Sequence, residues 1–232
     1  MVLLVDVLYL FFAGVSMYFL FFFLILYFRN KTSLRTFPKL SNFLPVSIIV
    51  PAHNEEKTIS STIKSLLNLT YPKDKLEIIV VDDGSTDNTY EIVKKFRNVK
   101  VIRKENGGKA SALNLGIKKA RSEIVACVDS DSRPKPDALM KSLPFFNDDS
   151  VAAVTTSIFV RQPKSLLERL QWLEYMMIVW SRKLLEYVDS VYVTPGPLSL
   201  YRRNVLLKVG GFDINNMTED IEIAWRLLSK GY

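Results

Sequence analysis

The hydrophobic and polar positions divide the chain into an N-terminal apolar segment and a longer region with strand and helix patterns. Across residues 7–28, no charge interrupts a run of Leu, Phe, Tyr, Val and Ile. At a rise of about 1.5 Å per residue this helix would be roughly 33 Å long, enough to cross a bilayer. A cleaved signal peptide fits less well, because the run is too long and lacks a basic start and a small-residue cleavage pattern. We therefore predict a transmembrane helix over residues 1–28.

From residue 46 onward, continuous apolar runs alternate with segments of helical spacing. The predicted strands are 46–51, 77–81, 99–103 and 124–128, and the predicted helices between them are 56–67, one capped by Asp87 or Asn88, and 109–120. Strands buried on both faces of a parallel sheet are apolar throughout. The order strand-helix-strand with short connections therefore predicts an α/β domain over residues 46–232, with a mostly parallel central sheet flanked by helices.

The pattern is less regular after residue 131. It predicts a helix opened by Pro134 and Pro136 and running to about 146, a strand at 151–157, an amphipathic helix at 166–188 and a last helix at 221–229. The amphipathic helix carries one apolar stripe, made of Leu166, Leu170, Leu173, Met177, Trp180 and Leu184. Such a stripe packs in a core or lies along a membrane surface, and the sequence leaves both interpretations open.

Charge and cysteine content predict that the domain lies on the cytoplasmic side of a membrane. Arg29, Lys31, Arg35 and Lys39 follow the apolar run without an acid among them, so residues 29–45 form a basic juxtamembrane linker. By the positive-inside rule, this side of a cell membrane is cytoplasmic and the N-terminus lies outside. These residues supply four charges to a net charge of +7, which favours contact with membrane lipid over nucleic acid. The single cysteine, Cys127, lies in an apolar run and predicts a buried side chain without a disulfide.

Acidic residues follow three of the predicted strands. Glu55 comes after the first strand, Asp82 and Asp83 after the second, and Asp129 and Asp131 after the fourth. Each alone is an ordinary turn residue, but in open α/β sheets the carboxyl ends of the strands border the ligand crevice. Asp129 and Asp131, two carboxylates separated by one residue, suit a divalent cation. No Gly-x-Gly-x-x-Gly follows any strand, which disfavours a dinucleotide cofactor.

Five motifs in this order resemble those of family 2 inverting glycosyltransferases. They are Pro51-Ala52-His53-Asn54-Glu55, Val81-Asp82-Asp83-Gly84-Ser85-Thr86-Asp87, Gly107-Gly108-Lys109-Ala110-Ser111-Ala112-Leu113-Asn114, Asp129-Ser130-Asp131 and Thr218-Glu219-Asp220. Three further segments are most similar to the membrane synthases of poly-N-acetylglucosamine, hyaluronan and cellulose: Val193-Thr194-Pro195-Gly196-Pro197, Tyr201-Arg202-Arg203 and Gly210-Gly211-Phe212-Asp213.

The resemblance implies a GT-A fold that binds a UDP-sugar donor, such as UDP-GlcNAc or UDP-Glc, and a carbohydrate acceptor. It implies that Asp220 is the general base and that Asp129 and Asp131 hold Mg²⁺ or Mn²⁺ against the donor diphosphate. The other donor-binding residues it implies are Pro51, Ala52, Asn54, Glu55, Asp82, Asp83, Lys109, Asp129 and Ser130, and the acceptor-side residues are Gly196, Pro197 and Glu219. Ala52 departs from the family, which often has Thr or Ser there, and His53 receives no catalytic role.

The membrane polysaccharide synthases also carry a Gln-x-x-Arg-Trp motif after the Glu-Asp motif, and it is not found before Tyr232. We therefore expect an incomplete chain, or one completed by a second subunit, with little polymerising activity alone. Two alternatives within the resemblance are non-processive transfer to a lipid phosphate or single sugar, and a non-catalytic nucleotide-sugar-binding membrane subunit. Phosphoryl transfer of the haloacid-dehalogenase type needs a nucleophilic Asp in the first strand. It is disfavoured, because residues 46–51 contain no Asp.

Overall fold

The computed structural model describes residues 2–160 and 162–232, without the side chains of Val2, Leu3 and Arg35. The side chain of Arg35, a member of the predicted basic cluster, therefore lies outside the described residues. The chain forms two compact units. The smaller unit comprises Met1–Phe37 and Ile158–Val191, and the larger, here called the sheet unit, comprises Pro38–Ser157 and Tyr192–Tyr232.

The sheet unit is built on a six-stranded sheet in the order β3-β2-β1-β4-β6-β5. Its first four strands pair in parallel, as predicted, while β6 runs antiparallel to both β4 and β5. The chain reverses its direction of winding between β1 and β4, so a crevice opens at their carboxyl ends. The strands are β1 Val46–Ala52, β2 Leu76–Asp83, β3 Lys100–Lys104, β4 Ile124–Cys127, β5 Ala153–Thr155 and β6 Ser199–Arg202.

Strand β6 is the element of the sheet that the hydrophobic pattern does not predict. It contains only four residues, Ser-Leu-Tyr-Arg, two of them polar, yet all four are buried between β4 and β5. Ser199 Oγ donates to the carbonyl of Pro195 at 2.6 Å, which satisfies its hydroxyl. The predicted strand at 151–157 shortens to the edge strand β5, because only residues 153–155 pair with β6 in the ladder.

The helices of the sheet unit follow the predicted order with shifted ends, except that the short helix Arg203–Lys208 was not predicted. The predicted helix over 56–67 begins later, because the amides of Thr58 and Ile59 both donate to the carbonyl of Glu55 in a turn. The predicted helix to residue 146 is broken, and Pro144 lies in its 3₁₀ continuation Leu143–Asn147. The helices are α2 Ile59–Leu67, α3 Thr89–Lys94, α4 Lys109–Lys119, α5 Ala138–Ser142, α7 Arg203–Lys208 and α8 Glu219–Ser229, with a 3₁₀ turn at Lys73–Lys75.

Hydrophobic cores cover both faces of the sheet. Every residue of β1 is buried, and its alternating side chains point to opposite faces. Ile48 and Val50 pack in one cluster with side chains of α2 and α5, while Ile49 packs in the other with side chains of α4, α7 and α8. The predicted sheet flanked by helices is therefore confirmed.

The smaller unit contains two long helices, α1 Val2–Asn30 and α6 Leu166–Leu185, each followed by a 3₁₀ turn, at Ser33–Arg35 and Glu186–Val188. In α1, Leu4–Asn30 is long and apolar enough to cross a membrane. Helix α6 begins with a capping box, in which Ser165 and Glu168 satisfy each other's backbone amides. At its other end α6 stops at Leu185, so the last three residues of the helix predicted over 166–188 form the 3₁₀ turn instead.

The packing of α4 on β1 depends on Gly116. A Cβ at this position would lie far inside van der Waals distance of Cγ2 of Ile49, and 3.3 Å from Cγ2 of Val81. Only glycine lets α4 approach the sheet this closely. Lys109 is the first residue of α4, so the position of this helix on the sheet also sets the position of the Lys109 backbone.

We predict that Gly116→Ala destabilises the sheet unit by about 1–3 kcal/mol, as overpacking does, although alanine in an open helix is normally favoured over glycine. Thermal unfolding in detergent micelles measures the effect. Gly14→Ala is the matched control, because a Cβ there has nothing within 4 Å. Adding Ile49→Ala removes the clashing methyl group, so the double variant should be more stable than the sum of the two changes predicts. Strict additivity would contradict the contact.

Candidate active site

Three sequence motifs meet at the ammonium group of Lys109. Its Nζ lies 2.9 Å from Oδ1 of Asp129, just after β4, and 3.1 Å from Oε1 of Glu219, the first residue of α8. A small cavity adjoins this cluster, lined by Lys109, Leu113, Cys127, Val128, Asp129, Thr194, Gly196, Tyr201, Phe212, Glu219 and Asp220. The Gly-Gly-Lys, Asp-Ser-Asp and Thr-Glu-Asp motifs, up to 110 residues apart in the chain, therefore share one site.

Electrostatics hold Lys109 in its charged form. Burial disfavours the ammonium, but Asp129 and Glu219 outweigh this cost and raise the pKa of Lys109 above its ordinary value. The lysine therefore stays protonated at neutral pH and neutralises part of the charge of the two carboxylates. Asp129, predicted on the donor side, and Glu219, predicted on the acceptor side, therefore both contact the same ammonium group.

Gly196 lies directly against the carboxylate of Asp129. A Cβ built on Gly196 would overlap both carboxylate oxygens, so a side chain at this position would displace them. The neighbouring Thr194 donates from its amide and its hydroxyl to the carbonyl of Asp220, at 3.0 and 2.9 Å. The segment containing Gly196 and Pro197 therefore links the Asp129 turn to the start of α8.

Asp83 holds the glycine loop that precedes α4. Its carboxylate accepts hydrogen bonds from the amides of Gly107 at 3.1 Å and Gly108 at 2.7 Å, and it pairs with Lys104. Its carbonyl accepts from Nδ1 of His53 at 2.8 Å. Asp83 is buried and thus positions the loop that carries Lys109. To contact a nucleoside, as the resemblance implies, its carboxylate would have to exchange one of these bonds.

Asp82 is also engaged with the protein. Its Oδ2 lies 3.2 Å from Nε of Arg103, and its Oδ1 accepts from the amide of Ser85 at 3.3 Å. Ala52 is its direct neighbour on β1, as Pro51 is of Val81 on β2. The first-strand and second-strand motifs are therefore adjacent at the carboxyl ends of β1 and β2, as the nucleoside-binding role that the resemblance implies would require.

Asn54 and Glu55 continue this edge. Asn54 has a left-handed backbone, with φ of 56°, and its Oδ1 accepts from the amide of Thr86 at 2.8 Å. The amide of Glu55 donates to Oγ1 of Thr89 at 2.7 Å, and its side chain accepts from Thr58. These bonds tie the loop after β1 to the loop after β2.

The Asp129-Ser130-Asp131 turn presents its two acids differently. The amide of Ser132 donates to the carbonyl of Asp129 at 3.0 Å, and the buried Thr62 of α2 donates to the carbonyl of Ser130 at 2.7 Å. The backbone is therefore fixed, and Asp129 faces Lys109 while the Asp131 residue is exposed. The structure gathers Asp129, Lys109 and Glu219, but leaves Asp131 at the rim.

Sequence reasoning missed three positioning residues: Thr62, Thr194 and Asn114. The amide side chain of Asn114 donates to the carbonyl of Phe212 at 2.7 Å and accepts from the amide of Phe212 at 2.8 Å. It thereby joins α4 to the Gly210-Gly211-Phe212-Asp213 segment. Asn114 and Thr194 lie inside recognised motifs, which was a usable signal, whereas nothing in the sequence marks Thr62.

Cys127 is buried at the end of β4, as predicted, and it also lines the cavity of the site. Burial raises the pKa of its thiol to about 12, with Lys109 acting in the opposite direction and Asp129 and Glu219 adding to the rise. The thiol is therefore neutral at physiological pH. This agrees with the interpretation of Cys127 as a small buried hydrophobic residue.

Comparison with known proteins yields consistent matches. The sequence profile described as Glycosyl transferase family 2 matches residues 47–210. The chain is 34% identical over 193 residues to poly-beta-1,6-N-acetyl-D-glucosamine synthase of Staphylococcus aureus, a match that covers 81% of this chain and 46% of that protein. The chain thus spans about half the length of the curated relatives it matches.

Two solved structures have similar folds. The mannosyltransferase PcManGT from Pyrobaculum calidifontis, in complex with GDP-Man and Mn²⁺, has a TM-score of 0.70 and 27% identity, covering 90% of this chain and 60% of that one. S. aureus TarS 1–349, in complex with UDP-GlcNAc, has a TM-score of 0.60 and 25% identity, covering 80% and 53%. The fold predicted from the motifs is therefore confirmed.

We predict that Gly196→Ala weakens Mn²⁺ binding about 10-fold or more, because the added methyl group displaces the Asp129 carboxylate. Titration of Mn²⁺ in the presence of UDP, followed by electron paramagnetic resonance, measures the affinity. Gly14→Ala is the control, since Gly14, like Gly196, lacks a positive φ but has nothing within 4 Å of the new Cβ. Equal Mn²⁺ affinity in the two variants would refute the prediction.

We predict that Cys127 resists maleimide at pH 8 in the folded protein, because a neutral buried thiol is a poor nucleophile. A Ser150→Cys variant, labelled at an exposed position, should react at the rate of a free thiol. Labelling of Cys127 should appear only across the denaturant unfolding transition. Native-state labelling as fast as at position 150 would show that the strand end is open.

Proposed function

The chain belongs to glycosyl transferase family 2, as its motifs predicted, and on this premise we propose that it is the donor-binding part of a membrane polysaccharide synthase. In this proposal a sugar passes from a UDP-sugar, UDP-GlcNAc or UDP-Glc, to a growing β-linked polysaccharide. The reaction inverts the anomeric carbon and depends on a divalent metal.

The observation that carries the proposal is the convergence of Asp129, Lys109 and Glu219 beside Asp220. Transfer needs a place for a diphosphate leaving group and, close to it, a base for the acceptor hydroxyl. A cation between two carboxylates, with a further acid on the same cavity wall, provides groups for both tasks. A binding subunit would not need Asp220 in this position.

Asp220 is the proposed general base. Its Oδ1 accepts from the amide of Ile221 at 2.9 Å in the first turn of α8, where the helix dipole favours an anion. Thr194 fixes its backbone. The carboxylate would take the proton of the acceptor hydroxyl as the oxygen attacks the anomeric carbon from the side opposite the diphosphate.

Asp129 and Asp131 would suit a divalent metal ion if the substrate supplies the remaining ligands of that ion. Among residues 2–160 and 162–232, no group of three His, Cys, Asp or Glu is arranged to hold a metal ion, so in this proposal the donor phosphates complete the set of ligands. Two carboxylates with donor phosphates suit Mg²⁺ or Mn²⁺, and the attraction of Asp129 for a cation is already visible in its contact with Lys109. The bound ion would neutralise charge on the diphosphate.

The remaining donor-site residues keep their proposed roles. The edge formed by Pro51, Ala52, Asn54, Glu55 and Asp82 would receive the nucleoside, and the Asp83-held loop would present Lys109 to the phosphates. Ser130 supplies backbone to the same turn. A UDP-GlcNAc donor is supported by the similarity to the poly-beta-1,6-N-acetyl-D-glucosamine synthase of S. aureus and to TarS in complex with UDP-GlcNAc.

We also propose the arrangement at the membrane. Residues 1–28 would be the transmembrane helix, 29–45 the basic linker and 46–232 the cytoplasmic catalytic domain, with the N-terminus outside. The apolar composition of α1 supports this, as do Arg29 and Lys31 after its apolar run. The acceptor-binding part would come from sequence beyond the matched half of the relatives or from a second subunit.

We predict that Asp220→Asn, made in the full gene product, lowers sugar transfer by about 10²–10⁴ and leaves the Kd for the UDP-sugar unchanged. The amide cannot accept the proton, but the donor contacts lie elsewhere. Radiolabel transfer on membranes and equilibrium binding give the two quantities, with Asp74→Asn, an exposed carboxylate outside the site, as the control. Undiminished transfer would favour the non-catalytic subunit.

We predict that UDP-GlcNAc or UDP-Glc, with Mg²⁺ or Mn²⁺, supports formation of a long product by those membranes and that chelation with EDTA stops it. Other UDP-sugars serve as controls. The size of the labelled product separates the alternatives: a polymer supports the proposal, whereas a single sugar on an organic-soluble lipid would support the lipid-phosphate acceptor. Full activity in EDTA would remove the metal from the proposal.

A further inference from the structure

The tyrosine of β6 is buried at the site, and the proposed reaction gives it no role. Tyr201 is only 1% exposed, and it lines the same cavity as Asp129 and Asp220. Burial raises the pKa of its hydroxyl well above the ordinary value, so the phenol stays protonated and can donate a hydrogen bond. A buried tyrosine hydroxyl normally has such a partner.

The partners of the Tyr201 hydroxyl lie at the two ends of one loop. They are the side chains of Thr194 and Ser199, the first and last residues of the segment 194–199, here called the Pro-Gly-Pro loop. Both partners already donate their own hydroxyl hydrogens: Ser199 to a carbonyl within the loop at 2.6 Å, and Thr194 to the carbonyl of Asp220 at 2.9 Å. Their oxygens therefore accept, and the phenol is the donor that joins the two ends.

The backbone of the Pro-Gly-Pro loop is strained. The buried Leu198 has a φ of 149°, a conformation that residues with a side chain seldom adopt and that persists only where the surrounding contacts enforce it. The carbonyl of Leu198 accepts from Oγ1 of Thr156 at 2.9 Å, which holds the loop at one point. The Tyr201 hydroxyl holds it at both ends, so the two contacts together oppose relaxation of the strained backbone.

The loop held in this way contacts both sides of the proposed reaction. At Gly196 it lies against the carboxylate of Asp129, the proposed metal ligand. At Thr194 it bonds to the backbone of Asp220, the proposed base, through an amide and a hydroxyl. The base and the metal ligand are therefore placed relative to each other by one short segment of chain.

We propose that Tyr201 is a positioning residue for sugar transfer, whose hydroxyl clamps the Pro-Gly-Pro loop and thereby sets the Asp220 backbone relative to the Asp129 carboxylate. It acts through Thr194 and does not touch the substrate. The proposal rests on the proposed function, because it takes Asp220 as the base. A phenylalanine would fill the same space, but it would lack the hydrogen that joins the two ends of the loop.

Tyr201→Phe tests the positioning role, because it removes the hydroxyl and keeps the ring. In the full gene product on membranes, we expect kcat to fall about 10-fold, the effect of one lost hydrogen bond, with an unchanged KM for the UDP-sugar. Thr194→Ser, which keeps a hydroxyl, should retain kcat, whereas Thr194→Val should lower it. Adding Tyr201→Phe to Thr194→Val should cost nothing further, because both changes interrupt the same chain of bonds.

Tyr71→Phe is the matched control. It also removes a buried tyrosine hydroxyl, bonded to the carbonyl of Leu44 at 2.7 Å, but this bond lies outside the site. We expect Tyr71→Phe to lower the free energy of unfolding and to leave kcat unchanged. Equal kcat in Tyr201→Phe and Tyr71→Phe would overturn the positioning role, and so would an additive loss in the double variant of Tyr201 and Thr194.

Hydrogen exchange in the 232-residue chain, in detergent micelles, tests the clamp without sugar transfer. Amides of residues 194–199 should exchange about 10-fold faster in Tyr201→Phe than in Tyr71→Phe, because the loop opens more easily. Equal exchange in the two variants overturns the clamp, whatever the reaction. Loss of transfer in Asp220→Asn with full kcat in Tyr201→Phe overturns this proposal alone. Undiminished transfer in Asp220→Asn overturns the base assignment and the positioning role together.

Discussion

The ammonium of Lys109, held between Asp129 and Glu219, is the contact on which the organisation of the site depends. Each carboxylate belongs to a different motif, and without a cation between them they would repel each other. The charge of Lys109 therefore lets the end of β4 and the start of α8 approach. It also places the proposed metal ligand Asp129 and the proposed base Asp220 on the walls of one cavity.

This cation is positioned by packing and hydrogen bonds. Gly116 brings α4 against Ile49, and the Asp83 carboxylate holds the amides of Gly107 and Gly108 just before the helix begins. Asn114 ties the same helix to the backbone of Phe212. A core contact, a loop clamp and a side-chain bridge thus act on a single helix, which explains why Lys109 reaches both carboxylates.

The amphipathic helix α6 illustrates how a pattern and a structure answer different questions. Its spacing revealed a stripe but was equally consistent with a core and a membrane surface, since both environments reward the same apolar face. The exposure of Leu170 and Leu173 shows that the described residues leave this part of the stripe uncovered, whereas Trp180 at its end contacts Phe23 of α1. The Asp83 carboxylate is a second example: its motif implies a ligand contact, and its geometry adds that it holds the amides of Gly107 and Gly108.

The sequence by itself determined the apolar helix, the four parallel strands, the order of helices and the motifs that identify the family, because periodicity and short motifs are local properties of the chain. Only the tertiary structure decided that β6 enters antiparallel between β4 and β5, that Asp131 stays exposed while Asp129 meets Lys109, and that Thr62, Asn114 and Thr194 fix the loops of the site. These features depend on partners far away in the chain, such as Ala126 opposite Leu200 and Thr62 beneath Ser130. When the core closes, it brings distant backbone and carboxylate groups together, and these groups must then find hydrogen-bonding partners. No local sequence pattern encodes that pairing.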